Sequence, residues 1–233
     1  MNILAIDSAT SILSLALSCA EERWCFEADA GLRHSELLMD GIDMLVEKAG
    51  IKPNDLDGVL CMGGPGSFTG LRIGFSAAKG LALSLGIPFA PIPTLDCIAM
   101  PYSVWPGLVL PVIDARKNAF FCALFIGQNR LCPDIDADSG QIARIINEKN
   151  ADNLNILLTG HDAEKLYKML LQENFPAGLL QLAPQGRRGY AATLLDIAKK
   201  NKVFDEDNHP WLFKGPEYIR KSDAELNSLS GSL

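Results

Sequence analysis

Several features that would indicate a membrane, secreted or metal-binding protein are missing from this sequence of 233 residues. No apolar run approaches the roughly 18 residues that a membrane-spanning helix requires. The six cysteines form no C-x-x-C pair and fall mostly in apolar, strand-like segments, which predicts reduced core residues in a cytoplasmic protein. The three histidines are scattered, and no two of them are three or four residues apart. These absences argue against a disulfide framework, a membrane span and a paired histidine metal site.

Positive charge is also scarce, because 21 Lys and Arg residues oppose 28 Asp and Glu residues and leave a net charge of −7. A chain with this charge is not expected to hold nucleic acid over a broad face, so RNA contact would need a local patch or a basic partner. Hydrophobic residues make up 48% of the sequence, as in an ordinary globular protein. The first residues, "MNILAIDSATS", lack a basic region and predict a buried strand rather than a signal peptide.

An order of strands and helices that occurs twice organises the chain. The first half predicts the order βββαβαβ, and the second half repeats it. Each half begins with an apolar strand that ends in Ile-Asp, at Asp7 and at Asp114. The predicted strands are 2–7, 12–18, 24–29, 58–64 and 88–94 in the first half and 108–114, 120–127, 130–135, 155–160 and 179–184 in the second, with helices at 35–49, 70–85, 139–149, 162–174 and 190–200.

This duplicated plan predicts an α/β protein with the two-lobed fold of the actin-like ATPases, which is ribonuclease H-like in each lobe. The lobes are expected at 1–103 and 104–210, and the junction falls near 101–107, where prolines and aromatic residues alternate. The remaining segment, 211–233, is expected to pack on a lobe and to end in a disordered tail. Its basic and aromatic residues leave a second interpretation open, which is an RNA-contacting patch. Those basic residues are Lys214, Arg220 and Lys221.

Two positions test the ATPase plan directly, because such proteins hold phosphate with a glycine-rich hairpin after a strand-end Asp. The first hairpin, "DSATS", supplies Asp7 and Thr10 but no glycine, and the second, "DARKNAF", supplies Asp114 but directs the bulky Arg116 at the phosphate position. We therefore expect degenerate nucleotide positions at Asp7, Thr10 and Asp114 and no bound cofactor. Asp7 either positions a metal or caps its own turn, which is the favoured alternative. Asp114 is expected to pair with Arg116.

The stretch "GGPGSFTG" resembles a phosphate-binding loop only superficially. It is neither a P-loop, since Leu71 and Arg72 follow the last glycine, nor a dinucleotide-binding motif. It turns a strand sharply into a helix, with Ser67 or Thr69 available as the N-cap. The helix that follows is apolar on two sides, so its second side is buried either inside the monomer or against a partner protein. The sequence pattern does not decide between these alternatives.

Four segments carry a family resemblance: "ILAIDSAT", "HSELLMDGIDMLVEKAGI", "GGPGSFTGLRIGFSAAKGLALSLGIP" and "GPEYIRKSDAE". They resemble the TsaB (YeaZ) family, which is required for N6-threonylcarbamoyladenosine modification of tRNA beside the anticodon. The resemblance implies a non-catalytic subunit that pairs with its paralogue TsaD, recruits the ATPase TsaE, meets tRNA through the complex and forms homodimers when TsaD is absent. It also implies a partner interface on the helices at 35–49 and 70–85. The residues expected there are Leu38, Ile42, Leu45, Leu71, Phe75, Ala78 and Ala82.

The resemblance further implies that no metal is bound. The sister protein TsaD carries an HxxxH metal motif, and the matching positions here are Asp96 and Met100. We expect His34 to be a cap or surface residue, His161 to lie in a turn, and His209 to have no ligand role. The alternatives are a sugar- or acetate-kinase-like phosphotransferase on the same fold and a metalloprotease, although the sequence contains no HExxH.

Overall fold

Two mixed β-sheets form the frame of the chain in the computed structural model, which describes residues 1–184, 188–204, 215–217 and 219. In the first sheet the strands are ordered β3 (Glu22–Asp29), β2 (Ile12–Cys19), β1 (Ile3–Asp7), β4 (Gly58–Gly64) and β5 (Phe89–Pro93). In the second they are ordered β10 (Ile135–Asp138), β7 (Ala119–Cys122), β6 (Leu108–Arg116), β11 (Ile156–Thr159) and β12 (Leu180–Leu182), and the short strand β8 (Phe125–Ile126) also pairs with β6 and with β9 (Asn129–Arg130). In each sheet the strand that contains the Ile-Asp pair, which is β1 in the first sheet and β6 in the second, lies between an antiparallel and a parallel neighbour. The repeated order confirms the predicted two-lobed actin-like fold.

The elements of the first sheet agree with the predicted order. Strands β1 to β3 form an antiparallel meander, and β4 and β5 run parallel to β1 because a helix connects each to the strand before it. A short helix, α3, follows β5. The bounds are β1 Ile3–Asp7, β2 Ile12–Cys19, β3 Glu22–Asp29, α1 His34–Lys48, β4 Gly58–Gly64, α2 Phe68–Leu85, β5 Phe89–Pro93 and α3 Thr94–Ala99.

The second sheet differs from the prediction at two strands. In place of the predicted strand 130–135 there are two short strands, β9 Asn129–Arg130 and β10 Ile135–Asp138. The predicted strand 120–127 is broken, because β7 pairs with the end of β6 while β8 pairs with its beginning at Leu108–Val109. The N–H of Leu124, which lies between the two pieces, donates to the Cys132 sulfur at 3.3 Å. The bounds are β6 Leu108–Arg116, β7 Ala119–Cys122, β8 Phe125–Ile126, β9 Asn129–Arg130, β10 Ile135–Asp138, α4 Ser139–Lys149, β11 Ile156–Thr159, α5 Ala163–Gln172, β12 Leu180–Leu182 and α6 Ala191–Lys200.

Helices cover both faces of the sheets and bury three apolar clusters. Helices α1 and α2 pack on one face of the first sheet, and α4 and α5 pack on one face of the second. The third cluster lies between the sheets and includes α3 and α6. Although α6 follows the second sheet in sequence, it packs on β1 and β2 of the first. Within the described ranges, no helix is both long and apolar enough to cross a membrane.

Candidate functional site

A cavity of about 620 Å³ lies between the two sheets, at the ends of β1, β4 and β6. Its lining comes from the turn after β1, the turn before α2, the β6–β7 turn and the C-terminal segment. Thr10 and Asp114 line it, which brings two of the three predicted nucleotide positions together, whereas Asp7 is buried and does not line it. The hydroxyl of Thr10 accepts the N–H of Ile12 at 3.3 Å and so closes its own turn.

The glycines before and within α2 serve close packing. A Cβ on Gly66 would approach the Ala9 carbonyl oxygen to 2.6 Å, and a Cβ on Gly70 or Gly74 would collide with the carbonyl or hydroxyl oxygen of Ser8. The Ser8 hydroxyl donates to the Gly70 carbonyl at 2.8 Å. These glycines let α2 lie directly on the turn after β1. The glycine-rich turn before α2 therefore serves packing, as the absence of a P-loop pattern suggests.

Asp7 is fully engaged by the chain itself. One carboxylate oxygen accepts the Ala9 N–H at 3.0 Å, and the other accepts the Tyr190 N–H at 2.8 Å, at the start of α6. Burial raises the pKa of Asp7 to about 6, against the opposing effect of those two hydrogen bonds. The favoured expectation that Asp7 caps its own turn describes one of these bonds, but the bond to Tyr190 has no signal in the local sequence.

Asp114 forms its ion pair with a residue that the sequence analysis did not name. The Lys165 ammonium of α5 lies 2.9 Å from the Asp114 carboxylate, while Arg116 contributes its backbone N–H at 2.8 Å. Although burial raises the pKa of Asp114, these hydrogen bonds outweigh it and hold the pKa below its ordinary value. The predicted pairing with Arg116 is therefore corrected to Lys165. The backbone at Arg116, Lys117 and Asn118 is left-handed, with φ of 64°, 54° and 60°.

The position that matches the first histidine of the TsaD metal motif is occupied by an ion-paired carboxylate. Asp96 pairs with Arg130 of β9, and Arg130 also pairs with Asp134. The guanidinium group also lies 5.0 Å from the centre of the Phe125 ring. No cluster of three His, Cys, Asp or Glu side chains suited to a metal occurs among residues 1–184, 188–204, 215–217 and 219. Met100, at the second motif position, begins a short 3₁₀ turn.

Two of the three histidines, His34 and His161, lie within the described residues. His34 begins α1 and is buried, which corrects the expectation of a cap or surface residue; burial lowers the pKa of its imidazole. The Nε2 of His161 lies 2.7 Å from the Arg188 carbonyl oxygen, in the turn that leads to α5. His209 and the basic residues Lys214, Arg220 and Lys221 lie outside the described residues.

All the side chains expected at a partner interface are buried in this chain's own core. They pack beneath α1 and α2 against the first sheet, so they form no surface in the monomer. Their exposed fractions are Leu38 2%, Ile42 3%, Leu45 3%, Leu71 1%, Phe75 3%, Ala78 0% and Ala82 1%. The apolar stripe on α2 therefore reports burial within the monomer.

The outer faces of the same two helices carry a different set of residues. Met39 and Met44 on α1 are about half exposed, and Leu83 on α2 is two-thirds exposed. Gly80 lies on the exposed face of α2, and a Cβ added there would meet no atom within 4 Å. No local conformation or packing in the monomer requires glycine at this position.

Comparisons with known proteins agree with this fold. A family model described as "TsaD: tRNA N6-adenosine threonylcarbamoyltransferase" matches residues 28–227. The chain is 29% identical to the tRNA threonylcarbamoyladenosine biosynthesis protein TsaB of Bacillus subtilis, over 97% of this chain and 96% of that protein. It is 34% identical to the protein of the same name from Escherichia coli, over 53% of this chain and 54% of that one. The solved structure of YeaZ from Pseudomonas aeruginosa superposes with a TM-score of 0.76 at 21% identity, covering 94% of this chain and 99% of that one.

The repeated sheets and the cavity between them define a protein with a two-lobed actin-like fold. The matches place it more narrowly: the chain belongs to the TsaD family and, within it, to the TsaB (YeaZ) group. This confirms the resemblance drawn from the sequence.

Proposed function

We propose that this chain is a non-catalytic subunit of the assembly that forms N6-threonylcarbamoyladenosine in tRNA. The names of its relatives support the pathway, since the Bacillus subtilis and Escherichia coli proteins are both named for tRNA threonylcarbamoyladenosine biosynthesis. Whether the chain is itself catalytic is a separate question, and the answer depends on the carboxylates of Asp7 and Asp114.

The observation that carries the non-catalytic role is the use of both carboxylates by the fold. Each oxygen of Asp7 accepts a backbone N–H, and Asp114 is held by Lys165 and the Arg116 amide. A carboxylate that binds Mg²⁺ for phosphoryl transfer needs oxygens free for the ion or its waters. Asp7 is buried with both of its oxygens bonded to the chain, and a lysine neutralises Asp114, so the two carboxylates are poorly suited to hold the ion that a kinase of this fold would use.

The test is tRNA threonylcarbamoylation in a reconstituted mixture of the synthase, TsaD and TsaE, with this chain added or omitted. We expect turnover to require the chain and to survive the double substitution Asp7→Asn and Asp114→Asn, which removes both charges with little change in volume. Turnover without the chain would refute the proposed role. Lost turnover in a folded and assembled double variant would return catalysis or nucleotide binding to this protein.

We place the contact with TsaD on the outer faces of α1 and α2, in place of the buried residues named from the sequence. Exposed methionine and leucine side chains supply apolar contact area, and Gly80 lets a second helix approach closely. A glycine inside an exposed helix costs about 1 kcal/mol relative to alanine. Since the monomer does not require Gly80, a partner helix is the physical reason we propose for it. A second copy of the chain would use the same face when TsaD is absent.

A substitution at Gly80 tests this contact without disturbing the monomer. Gly80→Tyr adds a large side chain into open space, so the isolated chain should keep its stability while binding to TsaD falls by at least tenfold. Gly178→Tyr is the matched control, because a Cβ there also meets no atom within 4 Å but the residue lies beside β12. Isothermal titration with purified TsaD measures both. Unchanged affinity in Gly80→Tyr would exclude this face.

Contacts with TsaE and tRNA are proposed to depend on the TsaD pair. The isolated chain has a net charge of −7 and is expected to bind tRNA weakly on its own. Gel-shift measurements with the chain alone, with TsaD alone and with the pair separate these cases. Tight tRNA binding by the isolated chain at about 150 mM salt would contradict this part of the proposal.

A further inference from the structure

The C-terminal strap, which is residues 215–217 and 219, lies against the turn that precedes α2. The Glu217 N–H donates to the Gly63 carbonyl oxygen at 2.8 Å. A Cβ added to Gly64, where φ is +113°, would collide with the Glu217 carbonyl oxygen. The two segments therefore meet backbone to backbone, and the absence of a side chain at Gly64 is what permits the contact.

The end of β4 offers the strap a main-chain partner. Strand β1 pairs with β4 only as far as Cys61, and the strap supplies the donor to Gly63 beyond that point. A peptide that adds its backbone to the end or edge of a sheet gains affinity from such bonds and specificity from the side chains that alternate along it. Here Glu217 and Ile219 line the cavity between the sheets.

The position of the strap connects it to the cavity rather than to the outer surface of the protein. The opposite part of the lining comes from the β6–β7 turn, including Arg116 and Lys117, so the strap and this turn belong to the same opening. The strap thus contacts the first sheet through Gly63 and Gly64 and contributes to the cavity wall at the same time.

We propose that the Gly63–Gly66 turn is a docking surface for an extended peptide backbone, that this chain's own strap occupies it, and that the docked strap covers the cavity between the sheets. The strap is held in the same chain as its docking surface, so a few main-chain contacts are enough to keep it bound at a high effective concentration. This inference does not depend on the proposed role in tRNA modification.

The first experiment removes the strap's donor in the full-length chain. Glu217→Pro deletes the N–H that binds Gly63, and the matched control Glu217→Ala changes the same side chain but keeps the N–H. The reporter is Ala115→Cys, placed in both backgrounds, because Ala115 lines the cavity and is buried. Maleimide labelling is followed by peptide mass spectrometry, with the exposed Cys25 on β3 as the internal reference.

We expect the reporter to label about fivefold faster in the Glu217→Pro background than in the Glu217→Ala background, as the loss of one hydrogen bond predicts. Equal labelling rates would overturn the proposal that the strap covers the cavity. Protection that strengthens with protein concentration would mean that the strap comes from a second copy, which would overturn the assignment to the same chain.

A second variant changes the docking surface instead of the strap. Gly64→Ala directs a Cβ at the Glu217 carbonyl, and hydrogen exchange of the Glu217 amide is the measurement. The amide should be protected in the unmodified chain and in the control Gly80→Ala, and it should lose protection in Gly64→Ala. An unprotected Glu217 amide in the unmodified chain refutes the docking by itself, whatever the stability of the variant.

Discussion

Asp7 should give this protein a measurable dependence of stability on pH. Its carboxyl group is fully buried at the end of β1, and burial raises its pKa to about 6 from an ordinary value of 3.8. The folded chain therefore holds this proton more tightly than the unfolded chain does. The contribution of Asp7 to the free energy of unfolding falls as pH rises from about 4 to about 6, and it is fully unfavourable above that range.

The structure sets the size of this effect. The difference between 3.8 and about 6 corresponds to about 3 kcal/mol, at about 1.4 kcal/mol per pKa unit. Neighbouring charges act in opposite directions, because His161 lowers the pKa of Asp7 and Glu27 raises it. Burial is the largest contribution, so a substitution that removes the charge should also remove most of the pH dependence.

Asp7→Asn is the perturbation that isolates this contribution. The amide is uncharged at every pH, and it keeps one oxygen as an acceptor while turning its NH₂ toward the other backbone N–H. That mismatch costs about 1–3 kcal/mol and does not change with pH. Relative to the unmodified chain, the variant should therefore gain about 3 kcal/mol in free energy of unfolding between pH 4 and pH 7.

Urea unfolding at a series of pH values, followed by circular dichroism, measures this difference. Asp152→Asn is the control, because Asp152 is exposed in the turn after α4 and makes no comparable buried contact. A difference between the Asp7→Asn variant and the unmodified chain that stays constant from pH 4 to pH 7 would refute the reasoning. It would mean that the carboxylate is not desolvated as its position beneath α6 indicates.

Three further predictions concern packing and one ion-pair network. Gly74→Ala should lower the free energy of unfolding by about 1–3 kcal/mol, because its Cβ collides with the Ser8 hydroxyl. Gly80→Ala should raise the free energy of unfolding by about 0.5–1 kcal/mol, because its Cβ meets no atom. Urea unfolding measures both, and the reverse order of stability would contradict the packing argument. Phe75→Glu buries a charge and should unfold the isolated chain, so a native circular dichroism spectrum would count against its burial. Arg130→Met leaves two carboxylates without their shared cation and should cost about 1–2 kcal/mol at neutral pH, and an unchanged melting temperature would show that the network adds nothing.

The order of elements could be predicted from the sequence because most strands and helices here are long or strongly apolar. Strand β2 is buried over six successive residues, and its pattern has no competing interpretation. Helix α3 was missed, since its six residues are too few to show a helical period. The break between β7 and β8 was missed as well, because an unbroken apolar run does not reveal that its two halves pair with opposite ends of β6.

The candidate site was predictable in position but not in partners. Strands that end in Ile-Asp mark the edge of the cavity, yet Lys165 and Tyr190 reach those carboxylates from elements far along the chain. Such contacts depend on the folded topology, which leaves no local pattern to recognise. The apolar face of α2 that contains Phe75 is a different case. Its sequence pattern indicates that this face is buried but does not identify the surface that buries it.

The glycines at the start of α2 and in its middle serve two purposes that the structure separates. Gly70 and Gly74 lie four residues apart on one face of α2, Gly66 lies in the turn just before the helix, and all three pack against the turn after β1. They fix where α2 lies in this chain, so side chains added there act on folding. Gly80 faces open space, so a side chain added there has nothing to disturb unless another molecule approaches. A face that tolerates substitution in the isolated chain but not in the complex is what a docking helix requires, and Gly80 is where that difference should be largest.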